Sequence, residues 1–336
     1  MRIITNPHLI DALREVHPVR IAVAYVGIDW CSYIDKHALA EIILSPTIGS
    51  NPRAIREIVE SLGWKNVHFL DELHAKVYIG EHKAAFGSFN LSKNGINETG
   101  LEELGVLTDD KTDVTNLNVE FVRLRKLALS SYQAESKKKK RLEELQAERN
   151  RAIAEGILRN DTPTCELIAY TPVSENELYV MWYRDVVVKF NYEELMAQDR
   201  ELEEKNFNNV VNFYTTVLEE DNIKPDTWIL LWQAKQDGMP MSMRHLQWMY
   251  VHQVVPQSVI DEPYTKIVLE RKDKKRPTEP FDIKSKDVQD AIKSVLRKTE
   301  FSAFREQGIE PWSALACNSK ILEFVNAAKY AVKKDG

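Results

Sequence analysis

Short segments of strand-forming residues recur through residues 1–112 and are separated by amphipathic helical patterns. The clearest helical pattern covers residues 51–63, where Asn51 is a typical N-cap, Pro52 suits the first turn and Gly63 suits the end. Strands that alternate with helices indicate an α/β domain. Further strands are predicted at 20–26, 41–44, 67–70, 75–79 and 84–87, and a further helix is predicted after Asn6 and Pro7.

From residue 113 the apolar spacing becomes helical and continues to about residue 160, which predicts a helical connector. The four lysines at 137–140 could contact a phosphate backbone, but such a run is more typical of a solvated helix face that pairs with the glutamates after it. Residues 161–336 predict a smaller α+β domain for recognition of nucleic acid or a partner protein. Strands are predicted there at 167–171, 177–183, 186–190 and 228–232, the first three as an antiparallel meander, and helices at 192–203, 208–218, 285–297 and 318–333.

The composition predicts a soluble globular protein, since 43% of its 336 residues are hydrophobic and the length suits two domains. The formal charge of -6 means that nucleic acid would be contacted through local basic patches rather than through the whole surface. Cys31, Cys165 and Cys317 are far apart and lack the spacing of a zinc site, which favours structural roles. The sequence shows neither a signal peptide nor a membrane span, and we expect a cytoplasmic protein.

Two short motifs, His-x-Lys and Gly-Ser-x-Asn, stand close together in the chain. His74 and Lys76 are one residue apart, and because side chains alternate along a strand, both should project from one face. Gly87 ends the next predicted strand, and Ser88 and Asn90 follow directly after it. A nucleophile, a cation and an amide that can share one cleft indicate phosphodiester chemistry.

This pattern resembles the phospholipase D superfamily, whose signature is His-x-Lys with an asparagine in a following Gly-Ser-x-Asn or similar element. The resemblance covers about the first third of the chain, and it implies a mixed β-sheet flanked by helices. The single motif, the length and the two-part layout resemble the nuclease and restriction-endonuclease branch of this superfamily. We therefore expect a DNA endonuclease with a role in restriction or defence against foreign DNA.

The resemblance implies a mechanism without metal or cofactor, in which His74 attacks phosphorus and forms a covalent phosphohistidine. Lys76 would supply a positive charge to the phosphate oxygens. The Asn90 amide and the Ser88 hydroxyl would donate hydrogen bonds to the same oxygens.

The superfamily also carries a glutamate that orients the histidine. Glu103 fits this role through the Leu-Gly-Val strand that follows it, and Glu98 and Glu102 remain alternatives. The acidic position that usually follows His-x-Lys corresponds to Glu81, to which we assign no catalytic role.

The reaction needs two histidines in opposite protonation states, one to attack and one to protonate the leaving oxygen. No other histidine begins a second His-x-Lys, so the resemblance implies a homodimer that joins two motifs. His82 lies in a turn and is interpreted as solvent-exposed. His245 and His252 would lie two turns apart on a helix, too far to share a metal, and ordinary surface or core positions are favoured.

The basic residues after position 265 form the best candidate patch for a nucleic-acid backbone, in a charged hairpin or loop, with plain solubility as the alternative. Nearby tryptophans could stack on bases, although core packing explains them equally well. The candidate contacts are Arg244, Arg271, Lys272, Lys274, Lys275 and Arg276, with Trp228, Trp232, Trp248 and Tyr250 as candidate stacking residues.

Two other functions fit the same motifs. The chain could be a nuclease subunit that a partner such as a motor ATPase activates, with the helical connector as its docking surface. It could also be a phospholipase, although lipid-acting members carry two motifs in one chain and this sequence has neither a second motif nor a basic amphipathic helix for a membrane. The sequence leaves open DNA versus RNA, the cleavage site and the fold of the second domain.

Overall fold

The computed structural model describes residues 1–6, 8–97, 100–159, 165–172, 174, 176, 178–184, 186–260, 263–305 and 311–335. The chain divides into two compact units, Met1–Gln146 and Ala147–Gly336, which we call the N-terminal and C-terminal units. Their boundary falls within the stretch 113–160 that the sequence predicts as a connector. No described helix is both long enough and apolar enough to cross a bilayer.

The N-terminal unit is built on a seven-stranded sheet. Its strands are β1 (Arg2–Thr5), β2 (Arg20–Val23), β3 (Glu41–Leu44), β4 (Val67–Phe69), β5 (Lys76–Ile79), β6 (Ala84–Gly87) and β7 (Leu104–Thr108). Their order is β1-β7-β6-β5-β2-β3-β4, with β2, β3 and β4 parallel and the other neighbours antiparallel. The helices of this part of the chain are α1 (Leu9–Val16), α2 (Pro52–Leu62), α3 (Lys93–Ile96), α4 (Lys111–Ser131) and α5 (Glu135–Ala154). The result is a large mixed sheet flanked by helices.

Helix α2 confirms the clearest helical prediction. The Asn51 side chain accepts a hydrogen bond from the backbone N–H of Arg53, Pro52 occupies the first turn, and Gly63 follows the helix with φ of 74°. These local signals act on neighbouring residues only, which explains why the sequence predicts them well.

Helix α4 begins at Lys111, just before the predicted connector, and packs on the sheet of the N-terminal unit. Val114, Phe121 and Ala128 recur every seven residues and are buried against Ala22 of β2 and Ile43 of β3. The apolar pattern from residue 113 therefore belongs to the core of this unit for the length of α4.

Intramolecular contacts account for most of the lysine run in α5. Lys139 pairs with Glu135 at 2.7 Å and Lys140 with Glu144 at 3.8 Å, as expected of a solvated helix face. Lys138 differs because it is buried, and its Nζ donates to the carbonyls of Trp64 (2.8 Å) and Val67 (2.6 Å). The run thus serves partly to attach α5 to the sheet.

Strand β1 was not predicted from the sequence, and the cap expected for α1 is different. The Asn6 side chain does not cap α1 but donates to the backbone oxygens of Asn97 and Leu101. His8 is the N-cap residue, and Pro7 lies outside the described residues. Asn6 thereby joins the end of β1 to the segment before β7.

The C-terminal unit contains two three-stranded sheets, β11-β10-β8 and β12-β13-β9, together with helices. The strands are β8 (Leu178–Tyr183), β9 (Val211–Val217), β10 (Trp228–Gln233), β11 (Gln247–Tyr250), β12 (Gln253–Val255) and β13 (Lys266–Arg271). The helices are α6 (Tyr192–Gln198), α7 (Glu204–Val210), α8 (Lys286–Arg297), α9 (Leu315–Asn318) and α10 (Ile321–Asp335). The predicted strand at 228–232 and helices at 285–297 and 318–333 are confirmed, and α6 confirms the start of the helix predicted at 192–203.

The helix predicted at 208–218 is wrong. A short helix, α7, ends at Val210, and the chain continues as strand β9. Val211, Thr215 and Val217 are buried, and β9 pairs antiparallel with β13. β-Branched and aromatic residues suit a pleated, half-buried strand, but the pairing that selects it comes from a distant segment.

The predicted antiparallel meander is also wrong. Strand β8 forms over 178–183, with position 177 outside the described residues, but it pairs in parallel with β10. Residues 167–169 form a 3₁₀ turn, and the described residues of 186–190 contribute a single bridge from Phe190 to Val259. The partner of β8 therefore comes from far along the chain, not from its neighbours in sequence.

Candidate active site

Strand directions bring the two motifs to one edge of the N-terminal sheet. Strand β5 runs antiparallel to β6, and β6 runs antiparallel to β7, so β5 and β7 begin where β6 ends. His74 precedes β5, Ser88 and Asn90 follow β6, and Glu103 precedes β7. All four residues therefore lie along the same edge.

His74 and Lys76 contact each other directly. Lys76 opens β5 and is 5% exposed, and its Nζ donates to the backbone oxygen of His74 at 2.8 Å. The same Nζ lies 3.1 Å from Nε2 of the exposed His74 side chain. Because an ammonium group has only donors, Nε2 must offer its lone pair, and the imidazole is the neutral tautomer with its proton on Nδ1. This is the form that can act as a nucleophile.

Burial and a nearby carboxylate act in opposite directions on Lys76. Desolvation lowers the pKa of Lys76 below its usual value, and the negative charge of Glu103 partly offsets this effect. Loss of water around the ammonium also strengthens its interaction with any anion that enters the site. Lys76 is therefore suited to stabilise negative charge.

Two aromatic rings form a rigid layer beside the motifs. The ring of Phe89 stacks on that of buried Tyr78 with centroids 5.1 Å apart, and the Tyr78 hydroxyl donates to the Phe89 carbonyl at 3.0 Å. A Cβ on Gly87 or Gly105 would lie 3.0 Å or 2.5 Å from the Phe89 ring. Gly87, the glycine of the Gly-Ser-x-Asn motif, thus leaves room for the Phe89 ring. This packing holds the residue that directly precedes Asn90.

The backbone of Tyr25 sets the orientation of the Asn90 amide. Its Oδ1 accepts from the N–H of Tyr25 at 3.0 Å. The amide group therefore has its Nδ2 as the end that can donate to a ligand. Gly95 of α3 packs closely against the backbone of Asn90, since a Cβ there would lie 2.6 Å from its nitrogen and 2.5 Å from its oxygen.

We expect Gly95→Ala to lower the turnover rate by about 10- to 100-fold, because the added methyl must displace Asn90 and small displacements of positioning groups are costly. The rate of phosphodiester cleavage measures the effect. Gly63→Ala is the control, since Gly63 has φ of 74° and open space around its Cβ position, so that this change should cost stability, about 1 kcal/mol, but not activity. Equal activity of the two variants would contradict the positioning role of Gly95.

The side chains of Ser88 and Glu103 are hydrogen-bonded to each other within one chain. The Ser88 hydroxyl donates to the Glu103 carboxylate and accepts from the N–H of Leu104 at 3.0 Å. The N–H of Glu103 donates to the Asn6 side chain at 3.2 Å. Among the described residues, the Glu103 carboxylate therefore bonds to Ser88 and not to His74. The Ser88 hydroxyl must break its hydrogen bond with Glu103 before it can donate to a phosphate.

The structure gives no contact between His74 and the other described acidic residues considered from the sequence, Glu81 and Glu102. Glu102 is exposed, and Glu98 lies outside the described residues. Glu81 is exposed in the turn after β5, where it lies 3.7 Å from the side chain of His82. The interpretation of His82 as a solvent-exposed turn residue is confirmed.

A cluster around Asp71 supports the loop that leads to His74, and no sequence pattern predicts it. The Tyr132 hydroxyl donates to the Asp71 carboxylate at 2.7 Å, and Arg141 lies 3.7 Å from it. The Ser45 hydroxyl donates to the backbone oxygen of Asp71 at 2.8 Å. Desolvation, followed by the bond to Asp71, raises the pKa of Tyr132, so this hydroxyl remains a donor. The partners come from segments far apart in the chain, which is why no local pattern marks them.

In the C-terminal unit, Arg271 is an internal ion-pair residue. It is buried, and its guanidinium pairs with Asp199, with Glu201 at 2.5 Å and with Asp273 at 2.9 Å. These bonds attach the segment after α6 to β13. The contact with nucleic acid expected from the sequence does not suit a guanidinium with three carboxylate partners.

The exposed part of the predicted basic patch is smaller than the sequence indicated. Arg276 is half-buried over the Trp228 ring and pairs with Glu279 at 3.1 Å. Four cations of the patch are exposed, namely Lys272, Lys274, Lys275 and Arg244. The Lys272 ammonium donates to the carbonyl of Asn208. The four aromatic residues considered for base stacking are buried, so core packing accounts for Trp228, Trp232, Trp248 and Tyr250.

His245 and His252 do not share a helix, since strand β11 separates them. His245 contacts Gln289 at 3.1 Å. Within the described residues, no group of three metal-ligating side chains is found. Cys165 and Cys317 are buried, and burial raises the pKa of Cys317 to about 12, whereas Cys31 is exposed. Structural roles thus suit two of the three cysteines.

His252 makes the stability of the C-terminal unit depend on pH. Its Nδ1 accepts from the N–H of Arg271 at 3.0 Å and its Nε2 donates to the carbonyl of Lys275 at 3.2 Å, so the ring is neutral. Burial lowers its pKa to about 4. Between pH 6.5 and 4 the unfolded chain binds the proton more readily, and we expect the free energy of unfolding to fall by about 2 kcal/mol as pH decreases. Urea unfolding should show this slope for wild type and a smaller slope for His252→Gln, and equal slopes would contradict the assignment.

No protein-family model and no curated protein matches this chain. Among solved structures, it is similar to NucT from Helicobacter pylori, with 18% identity and a TM-score of 0.30 over 36% of this chain and 92% of that one. It is also similar to Nuc from Salmonella typhimurium, described as a phospholipase D family member, with 14% identity and a TM-score of 0.30 over 38% of this chain and 93% of that one. At these values neither likeness carries weight for function.

Proposed function

We propose that the chain is a metal-independent phosphodiesterase that cleaves DNA as an endonuclease. The observation that carries the proposal is the contact of 3.1 Å between Nζ of Lys76 and Nε2 of His74. It pairs an available lone pair with a cation suited to a phosphate. The Asn90 amide, whose orientation is set by Tyr25, adds a hydrogen-bond donor at the same edge of the sheet.

In the first step, Nε2 of His74 attacks phosphorus and forms a P–N bond. The bond from phosphorus to the leaving oxygen breaks, and that oxygen takes a proton from the partner's His74. Lys76 and Asn90 stabilise the negative charge on the phosphate oxygens during this displacement. The product of the step is a phosphohistidine and a free hydroxyl end.

In the second step, water attacks the same phosphorus. The partner's His74, now neutral, takes a proton from the water, and the P–N bond breaks to restore the lone pair on Nε2 of His74. The two histidines thus exchange roles as base and acid. Because one chain supplies only one His-x-Lys motif, the reaction requires a homodimer.

We assign substrate recognition to the C-terminal unit, with Lys272, Lys274, Lys275 and Arg244 as the exposed cations that contact the backbone. A role in restriction or defence against foreign DNA would fit a nuclease with an attached recognition unit. Binding through these few cations should weaken as salt rises.

The proposal is tested by incubating the purified chain in EDTA with plasmid DNA, with RNA and with phosphatidylcholine vesicles. We expect DNA cleavage without added metal and no release of choline. Choline release without DNA cleavage would overturn the nuclease assignment in favour of a lipid hydrolase. Cleavage of RNA but not DNA would overturn the choice of substrate.

A further inference from the structure

One face of the N-terminal sheet is only partly covered by α4. The strand pairings of β1, β7, β6, β5, β2 and β3 align one row of apolar side chains across that face, namely Ile3, Val106, Phe86, Val77, Ala22 and Ile43. At the end under α4, Ile43 and Ala22 are 0% and 1% exposed, whereas Ile3 at the other end is 73% exposed. Val106, Phe86 and Val77 have intermediate exposure. Val77 packs against the cluster that contains Phe121 of α4, and we call the part from Ile3 to Phe86 the open row.

Helix α4 has apolar residues on its outer side as well as on the side that packs on the sheet. Val119 is 60% exposed, and Leu127 and Leu129 are also exposed, although α4 already buries Val114 and Phe121 in the core. A helix that is apolar on several sides is typical of one that packs on several sides. The same face of the unit therefore carries a helix with exposed apolar side chains and an apolar row that α4 covers only in part.

We propose that this face is the dimer interface, with α4 of each copy packed on the open row of the other. A two-fold interface uses the same patch on both chains. One patch must therefore contain both the helix that packs on the partner and the surface on which the partner's helix packs. The N-terminal unit meets this condition. The inference rests on the proposed function, because only a second copy brings the partner's His74.

The open row continues to the edge that carries the candidate active site. Leu104 is 58% exposed, directly follows Glu103, and lies on the same side of β7 as Val106. A second copy seated here would therefore reach the end of the sheet where Ser88 lies, which is on the same side of β6 as Phe86. The charges next to the exposed side of α4 do not favour a nucleic acid, since Arg123 pairs with Glu120 at 2.7 Å and the open row itself is uncharged.

The test compares Val119→Glu and Ile3→Glu with wild type and with the control Val187→Glu, which places the same charge on a 92% exposed valine of the C-terminal unit. Each interface change introduces two charges into the dimer, and we expect its dissociation constant to rise by at least about 100-fold. Sedimentation velocity at micromolar concentration measures the mass, circular dichroism verifies the fold, and DNA cleavage in EDTA measures activity.

We expect wild type and Val187→Glu to be dimers, and folded Val119→Glu and Ile3→Glu to be monomers with little activity that recovers at high protein concentration. Dimers of unchanged affinity in both interface variants would overturn the inference. A monomeric wild type, with this face covered by another part of the chain or by lipid, would also overturn it. Monomeric variants from a dimeric wild type that cleaves no DNA would support the interface and reject the proposed function.

Discussion

His74→Ala is expected to lower the rate of DNA cleavage by at least about 10⁴-fold, because the change removes the Nε2 lone pair that attacks phosphorus. The side chain is exposed and its removal leaves no cavity in the core, so folding and dimer mass should not change. Single-turnover cleavage of an end-labelled duplex in EDTA measures the effect.

The matched control for this change is His82→Ala, which removes an exposed histidine from the turn after β5. It should cleave at the rate of wild type. Mixed dimers of wild type and His74→Ala should also be inactive, because each reaction uses both histidines. Wild-type activity of His74→Ala, alone or in mixed dimers, would contradict the assignment of the nucleophile and the requirement for two copies.

Lys76→Met is expected to lower the turnover rate by about 10³-fold with a small effect on folding. The buried ammonium lies 3.1 Å from Nε2 of His74, and methionine retains an unbranched side chain without the charge. Steady-state kinetics over a range of substrate concentrations separates turnover from binding. An activity within tenfold of wild type would contradict the electrostatic role of Lys76.

The pH dependence of the cleavage rate is a second test of the role of Lys76. Burial lowers its pKa below the usual 10.5, so the ammonium is lost as pH rises through this lowered value. Cleavage by wild type should therefore decline at alkaline pH before an ordinary lysine deprotonates, and Lys76→Met should lack this decline. Lys83→Met, which removes an ion pair with Glu15 near the other end of the β5–β6 hairpin, should keep it.

Local signals account for the parts of the fold that the sequence predicted. The cap, proline and glycine around α2 act within one helix, and the His-x-Lys spacing follows from the alternation of side chains near a strand. Contacts between distant segments account for what was missed. Strand β1 is short and becomes a strand by pairing with β7, and β9 is selected by β13 over the predicted helix.

In the candidate site too, some features follow from local sequence patterns and others depend on contacts between distant segments. The sequence brought His74, Lys76 and Asn90 together through two motifs on neighbouring strands. It did not predict that Ser88 would donate to Glu103, or that Tyr132 would hold Asp71, because these pairs join separate segments through single side chains. Arg271 was misjudged for a related reason, since charge in a sequence does not reveal the carboxylates that will surround it.

In the proposed reaction, cleavage proceeds through a covalent bond between phosphorus and His74. It is tested most directly by the stereochemical course at phosphorus, measured with a DNA phosphorothioate of one configuration cleaved in ¹⁸O-labelled water. Two in-line displacements each invert phosphorus, so the account predicts net retention of configuration. Net inversion would indicate direct attack by water and would contradict it.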